Sequence, residues 1–210
     1  MLALAFFLAC WQTPAGEALP IRHVVSEREA LPIRHSVNER EALPIAAIPP
    51  LPGDPTLVDA ARNYMGRPYN FGGRGATLDC MGLVFLAWSD AGRGPWRPLS
   101  VNPTTLVSKR QLGDPVPGAS PVLSTQLQTS SLAPGDVLFF LSGAQNPAEP
   151  ALVTLDDEAL WVWHMGMYAG EARFVVGDHF AGQVVEEPLP AYLAEHDNYV
   201  AVYAVRPPAR

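Results

Sequence analysis

The sequence has few cysteines, no run of basic residues and no long apolar run, and each shortage excludes a class of protein. Two cysteines in 210 residues cannot form the disulfide framework that holds small secreted domains together. A formal net charge of −7 without a basic cluster argues against nucleic acid or an anionic membrane surface as the partner. No apolar stretch approaches the roughly 20 residues of a transmembrane helix. We expect a monomer with one core of ordinary size.

The longest apolar run stands at the start of the chain. Residues 2–11 read LALAFFLACW, which suits the hydrophobic region of an export signal, and Thr13-Pro14-Ala15 supplies small residues for cleavage. We therefore predict an export signal over residues 1–17 and an extracytoplasmic protein, in the periplasm, in the cell envelope or secreted. Leu8-Ala9-Cys10 also resembles a bacterial lipoprotein signal, which makes Cys10 an alternative lipid anchor. A disordered apolar N-terminus in a cytosolic protein is the remaining interpretation.

Residues 18–53 contain a short repeat and many prolines. ALPIRHVVSERE at 18–29 is followed by ALPIRHSVNERE at 30–41 and by ALPI from Ala42. The period is too short and the copies are too few for a solenoid core, and proline with alternating charge favours an extended linker. We predict that this segment is a disordered linker. His23 and His35 recur with the repeat and leave open a tether that binds metal or cell wall, beside a plain duplicated spacer.

The remaining residues, 54–207, have the pattern of one α+β domain. Asp54-Pro55 is a helix start, and Leu57, Val58, Ala61 and Met65 at helical spacing predict a helix over 55–65. A second helix is expected from Cys80 to about Ala91, whereas residues 93–134 are expected to be mostly irregular. Strands are then predicted at residues 137–141, 161–168, 173–176, 183–186 and 199–205. Helices followed by an antiparallel meander indicate an α+β fold.

Cys80 is the residue best suited to chemistry. It lies in YMGRPYNFGGRGATLDCMGLVFLAW, residues 64–88, just past a glycine-rich turn and at the start of an apolar helix. A helix N-terminus or a neighbouring imidazole can lower a cysteine pKa from about 8.5 to roughly 3.5–7.5. The N–H groups of the first helical turn can also stabilise an oxyanion. Cys80 is therefore either a nucleophile or a small core residue, and its position favours the nucleophile.

A nucleophilic thiol needs a base, and this domain has three histidines, His164, His179 and His196. His164 lies mid-strand in WVWHMGMYAG, where a buried core histidine is the alternative interpretation. A cysteine at a helix start that faces a histidine on a sheet is the layout of papain-like thiol catalysis. The pair favours His164 as the base, and His196 is expected in a surface turn.

Three ordered blocks resemble a known family. YMGRPYNFGG…LDCMG, LAPGDVLFF and HMGMYAG are similar to the pattern of the NlpC family of bacterial cell-wall cysteine peptidases, in the papain-like superfamily. The resemblance covers about residues 55–205. It implies a papain-like fold, with N-terminal helices packed on an antiparallel sheet of about five strands. It also implies a hydrolase that needs no metal or other cofactor and cleaves amide bonds in peptidoglycan stem or cross-link peptides.

The same resemblance implies roles for individual residues. Cys80 aligns with the nucleophile and His164 with the general base. Asp79 aligns with an acidic residue that helps to hold the free amine of a stem peptide, and Tyr69 with a tyrosine whose hydroxyl lines the oxyanion region. Met81 stands where relatives usually have serine, which leaves the identity of the substrate open.

The third catalytic residue has two candidates in the sequence. The polar residue that relatives carry there, often histidine, falls on Val176. Asp178 shares strand parity with Val176, whereas His179 reaches the site only if Gly177 bends or bulges the strand. The family preference for imidazole favours His179, with Asp178 as the alternative, and both can also be plain turn residues.

Two other functions stay open beside the leading hypothesis of an exported cysteine hydrolase. Met81 and the long loop at residues 93–132 fit a papain-like amidase or acyltransferase that acts on a substrate outside the wall. The missing polar residue at Val176 fits a catalytically inactive binding module.

Overall fold

A computed structural model describes residues 53–209 of the protein. The predicted export signal at 1–17, the candidate lipid anchor Cys10 and all but the last residue of the predicted linker at 18–53 lie outside the described residues. Within 53–209, no helix has the length and apolar character that crossing a membrane requires.

The described part of the chain contains four α-helices, eight strands and two short 3-10 helices, Ser124–Gln126 and Thr129–Ser131. The helices are α1 (Pro55–Arg62), α2 (Cys80–Asp90), α3 (Pro103–Ser108) and α4 (Leu189–Glu195). The strands are β1 (Asp114–Pro115), β2 (Val122–Leu123), β3 (Val137–Ser142), β4 (Val153–Leu155), β5 (Glu158–Gly170), β6 (Arg173–Asp178), β7 (Gln183–Pro188) and β8 (Ala201–Arg206).

The strands form an antiparallel sheet in the order β1-β8-β3-β5-β6-β7, with β2 added to β8 and β4 to β5. Every pairing in it is antiparallel. The predicted α+β class is therefore confirmed. The five predicted strands correspond to β3, β5, β6, β7 and β8, and three short strands are added to them.

The sheet carries an apolar layer on each face, because successive side chains of a strand point to opposite sides. The first layer joins α1 and α2 to one face of the central strands through Val137, Phe139, Leu141, Met165, Met167 and Val175. The second joins α4 and the start of β8 to the other face through Leu138, Phe140, Phe174, Val176, Tyr192, Tyr199 and Val202. Both faces are covered, so all six residues of β3 are buried.

Three local predictions differ from the structure. Helix α1 ends at Arg62, and Met65, which was expected on its buried face, is 46% exposed. Strand β4 lengthens the central hairpin, with Asp156 and Asp157 in the left-handed region (φ 50° and 65°), as a tight hairpin turn requires. Helix α4 was not predicted, since seven residues give too little apolar periodicity to recognise.

Candidate active site

Helix α2 begins at the point where β5 and β6 stop pairing. The register between these strands runs from Gly170↔Arg173 to Met167↔Val175. Beyond it, an ideal Cβ on Gly177 would lie 2.9 Å from the carbonyl oxygen of Asp79 and 3.2 Å from the backbone nitrogen of Cys80. Only glycine permits so close an approach. The N-terminus of α2 therefore lies between the ends of the two strands, and Cys80 meets β5 there.

The Cys80 thiol is partly buried in this position. Burial, and then the nearby Asp79 carboxylate, raise the pKa of Cys80 to about 12, although backbone N–H groups of Met165 and Met81 donate toward the sulfur and oppose the rise. This direction is opposite to the lowering that a helix start predicts, because removal of the thiolate from water outweighs the helix N-terminus. The free site therefore holds a neutral thiol at neutral pH.

His164 lies on β5 and is 3% exposed. Burial, and then the positive charges of His179 and His196, lower the pKa of His164 to about 3. The imidazole is neutral at neutral pH and has a lone pair that can accept a proton. Among the described residues, no hydrogen bond joins Cys80 to His164. The resting groups are a thiol and a neutral base, and proton transfer would accompany attack on a substrate.

Cys80 and His164 line the same cleft, which has a volume of about 600 Å³. Three of the five exposed large apolar side chains of the described chain also line it, namely Phe71, Val101 and Trp163. Phe71 is 87% exposed at the cleft. Apolar side chains concentrated at one opening mark a binding surface.

Asp79 caps α2, and its carboxylate is bonded to several donor groups of the protein. Its carboxylate accepts hydrogen bonds from the N–H groups of Gly82 at 2.6 Å and Gly72 at 2.9 Å, and it forms an ion pair with Arg74. The residue is 5% exposed. The predicted role of Asp79 in holding a substrate amine stays a prediction, and an ammonium group would have to compete with Arg74 there.

The other polar side chains of the cleft are bonded within the protein as well. Glu149 accepts hydrogen bonds from the Thr104 N–H at 3.1 Å and the Asn146 side chain at 2.8 Å. Asn102 caps α3 by accepting a bond from the Thr105 N–H. Because these groups are occupied, the surface that remains for a ligand beside Cys80 is mainly apolar.

Tyr69 and Met81 both lie next to the nucleophile. Met81 follows Cys80 in α2, is buried and lines the cleft. Burial, and then the nearby Cys80 and Asp79 side chains, raise the pKa of Tyr69 to about 12, so its hydroxyl keeps its proton. A protonated phenol near Cys80 could donate to an oxyanion, which is the role predicted for Tyr69.

Neither candidate for the third catalytic residue is bonded to His164 in the described chain. The β6–β7 ladder continues regularly through Val176↔Val185 and Gly177↔Val184 to Asp178↔Gln183, so no bulge at Gly177 redirects His179. Instead, His179 follows the strand with 45% of its side chain exposed and its ring 6.3 Å from that of His164. The regular strand keeps Asp178 on the same side as Val176, as its parity predicts. Asp178 is buried and accepts a bond from the Phe180 N–H at 2.7 Å, as a turn residue does.

Sequence reasoning missed the aromatic residues that surround His164. The rings of Phe140, Tyr192 and Tyr199 lie 5.9, 6.2 and 5.9 Å from the imidazole. His196, expected in a surface turn, packs its ring 4.3 Å from Tyr192. In residues 53–209, no three His, Cys, Asp or Glu side chains are grouped as metal ligands would be.

No protein-family profile and no curated protein matches the chain. Among solved structures, the NlpC/p60 domain of the peptidoglycan hydrolase SagA is similar with 17% identity and a TM-score of 0.37, over 71% of this chain and 95% of that one. NlpC1 from Trichomonas vaginalis has 19% identity and a TM-score of 0.49, over 75% of this chain and 45% of that one.

RipD from Mycobacterium tuberculosis, described as a non-catalytic NlpC/p60 domain protein adapted to peptidoglycan binding, has 16% identity and a TM-score of 0.42. The match covers 72% of this chain and 94% of RipD. These similar structures are thus NlpC/p60 proteins, the family that the sequence blocks resemble. At identities below 20% and TM-scores below 0.5, they leave the activity to be argued from Cys80, His164 and the cleft.

Proposed function

We propose that the protein is a cysteine hydrolase that cleaves amide bonds, with Cys80 as the nucleophile and His164 as the general base. One observation carries the proposal: a thiol at the N-terminus of α2 and a neutral imidazole on β5 line the same cleft. The apolar side chains exposed around this pair supply a surface for a substrate.

The proposed reaction has two halves. In the first, His164 accepts the thiol proton while the sulfur of Cys80 attacks the amide carbonyl, and the imidazolium then protonates the leaving amine. The oxyanion receives hydrogen bonds from N–H groups at the start of α2 and from the Tyr69 hydroxyl. In the second half, His164 takes a proton from water as the water oxygen attacks the thioester, the acyl group leaves as a carboxylic acid, and the imidazolium returns the proton to the Cys80 sulfur.

The proposed substrate is a stem or cross-link peptide of peptidoglycan, cleaved outside the cytoplasm. The three sequence blocks around Cys80, Pro134-Gly135-Asp136 and His164 support this choice, as does the apolar leader at residues 2–11. Asp79 and Tyr69 would then contact the peptide on the acyl side of the scissile bond.

A second candidate follows from the lining of the cleft. Asp79 is ion-paired to Arg74, Met81 replaces a polar residue, and the remaining surface is mainly apolar. This arrangement favours an acyl donor without a free amine, and therefore a papain-like amidase or acyltransferase that acts on a substrate outside the wall. A product that carries the acyl group on an added amine would identify acyl transfer.

A third candidate, a catalytically inactive binding module, is favoured by the raised pKa of Cys80 and by the lack of a hydrogen bond between the described Cys80 and His164 side chains. It predicts that the protein retains peptidoglycan or its fragments without altering them.

Digestion of purified peptidoglycan separates these candidates. The full chain and its Cys80→Ala variant are each incubated with the polymer, and the soluble fragments are read by mass spectrometry. New peptide fragments from the wild type alone would support the first candidate and identify the bond. If the two traces are identical, wall hydrolysis is refuted. Cosedimentation of both proteins with the polymer would then favour the binding module.

A further inference from the structure

The inner side of His164 presents an unsatisfied polar atom. In the described chain, two buried side-chain polar atoms have no hydrogen-bond partner, and they are Nε2 of His164 and the hydroxyl of Tyr192. Buried polar atoms in folded proteins are nearly always bonded, and each exception calls for an explanation. Both of these atoms belong to the aromatic cluster on the α4 face of the sheet, which makes them candidates to form a hydrogen bond with each other.

The rings around His164 restrict how it can move. Tyr199 stacks on the imidazole at 5.9 Å with an angle of 11° between the planes, and Tyr192 lies at 6.2 Å with an angle of 23°. The three residues are each 3–4% exposed. Stacking of this kind fixes the plane of the imidazole but not its tautomer, which depends on a hydrogen bond to one ring nitrogen.

We propose that Tyr192 is the positioning residue of the catalytic pair: its hydroxyl oxygen accepts a hydrogen bond from Nε2–H of His164. The bond forms directly when the side chains rotate toward each other, or through one bridging water molecule. With the proton held on Nε2, the lone pair of Nδ1 is left for the thiol of Cys80. This inference rests on the proposed function, in which His164 is the base.

The chemistry of a buried phenol suits this position. Burial raises the pKa of Tyr192 far above its usual range, so the hydroxyl stays neutral whenever His164 is neutral. When His164 takes the thiol proton, Nε2–H belongs to a cation, and its hydrogen bond to the phenol oxygen becomes stronger. Tyr192 would thus orient the base in the resting enzyme and stabilise the imidazolium during reaction.

The residues expected in this role fit it less well. Val176 has no polar side-chain atom and is buried in the layer beneath α4. The side chain of His179 is 45% exposed and meets His164 edge to face. Asp178 uses its carboxylate to close a turn at Phe180. Tyr192, which comes from a different element of the fold, brings a buried hydroxyl that has the Tyr199 hydroxyl as a polar neighbour and donates toward it, so its oxygen can still accept a bond from His164.

Two phenylalanine substitutions test the proposal with matched chemistry. Tyr192→Phe and Tyr199→Phe each remove one hydroxyl from a buried ring next to His164, and only the first removes the proposed acceptor. In ¹⁵N spectra of histidine-labelled full-length protein, we expect the wild type to hold His164 as the Nε2–H tautomer. Tyr192→Phe should shift both ring nitrogens toward a tautomer mixture, whereas Tyr199→Phe, which removes only the neighbour of the Tyr192 hydroxyl, should shift them clearly less.

Kinetics supply a second readout once a substrate is in hand. For Tyr192→Phe we expect kcat to fall by about tenfold to a hundredfold with KM nearly unchanged, because the acceptor acts on the base and not on the substrate. His179→Ala and Asp178→Asn should each change kcat by less than about threefold.

Several results would overturn the proposal. An unchanged His164 tautomer in Tyr192→Phe would do so, as would an equal shift in Tyr199→Phe or a larger one in His179→Ala or Asp178→Asn. The spectra need no substrate, so they report on Tyr192 even if peptidoglycan proves to be the wrong polymer. Cys80→Ala provides the separate test of the proposed function, since it leaves the His164–Tyr192 contact in place.

Discussion

The two halves of the candidate site are held in different ways. Cys80 is positioned by main chain that is close in sequence: Asp79 caps its helix and a glycine-rich turn packs beside it. His164 is positioned by side chains from distant elements, with Phe140 from β3, Tyr192 from α4 and Tyr199 just before β8. A contiguous motif builds the first half, and the tertiary fold assembles the second. Substitutions in the two halves should therefore impair activity and stability in different ways.

The largest expected effect comes from removing the base. His164→Gln keeps a polar side chain among the surrounding aromatic rings but has no group that can take up the thiol proton. We expect kcat/KM to fall by about a thousandfold, within the range found for general-base catalysis. The measurement is steady-state cleavage of a fragment identified from the peptidoglycan digest. Cleavage within about threefold of wild type would remove His164 from the reaction.

The reactivity of the thiol sharpens the comparison from the Cys80 side. Because the pKa of Cys80 is raised to about 12, little thiolate exists at pH 7 in the free protein. Alkylation of Cys80 by iodoacetamide, mapped by peptide mass, should be about a thousandfold slower at pH 7 than in the urea-denatured chain, where an ordinary cysteine has a pKa near 8.5. The rate should still climb above pH 9. A plateau below pH 8 would indicate a resting thiolate and contradict the neutral pair.

Acid should lower the stability of the folded protein through His164. The pKa of His164 is about 3 in the folded protein, because of burial and of the positive charges of His179 and His196, with Asp79 opposing them. In the unfolded chain it is near 6.5. The unfolded state therefore binds more protons between these values, so stability is full above pH 6.5 and is lost as pH falls toward 3.

The expected loss from His164 alone is about 1.4 kcal/mol for each pH unit in that window. The free energy of unfolding is measured in urea at pH 7 and pH 4.5 for wild type and for His164→Gln. The contribution of His164 is the difference between the losses of the two proteins. Equal losses in both proteins would show that His164 is not buried as a neutral group.

The smallest expected effect comes from a substitution that tests whether the N-terminus of α2 lies between the ends of β5 and β6. Gly177→Ala places a Cβ 2.9 Å from the carbonyl oxygen of Asp79, so the start of α2 must shift. We expect a loss of roughly 1–3 kcal/mol in the free energy of unfolding. Gly75→Ala is the matched control, since nothing lies within 4 Å of its Cβ position. A Gly177→Ala protein as stable and as active as Gly75→Ala would argue against this close approach of α2 to β6.

The same contrast explains what could be predicted from the sequence. Helix α2 was predicted to within one residue, and five main strands were found, because apolar periodicity and helix caps are local signals. Cys80, Asp79 and Met81 were placed beside a ligand cleft for the same reason. The ends of α1 and β5 differ because turns at Asn63 and at Asp156–Asp157 decide them.

The surroundings of His164 could not be predicted in this way. The expectation of His179 as third residue depended on a bulge at Gly177, whereas that of Asp178 depended on a regular strand. The structure uses that glycine for the close approach to Asp79 and Cys80, and β6 stays regular. Tyr192 is separated from His164 by 28 positions and lies on a helix with little sequence signal. The two tyrosines of AYLAEHDNY, seven positions apart, were the only hint.

One measurement tests the central claim most directly, namely the mass of the intact protein after brief incubation with peptidoglycan fragments and an acid quench. If Cys80 and His164 act as proposed, the wild type gains the mass of an acyl group on Cys80. His164→Gln gains far less, and Cys80→Ala gains none. Fragment cleavage by Cys80→Ala at the wild-type rate, with no adduct on any of the three proteins, would contradict thiol catalysis at this site.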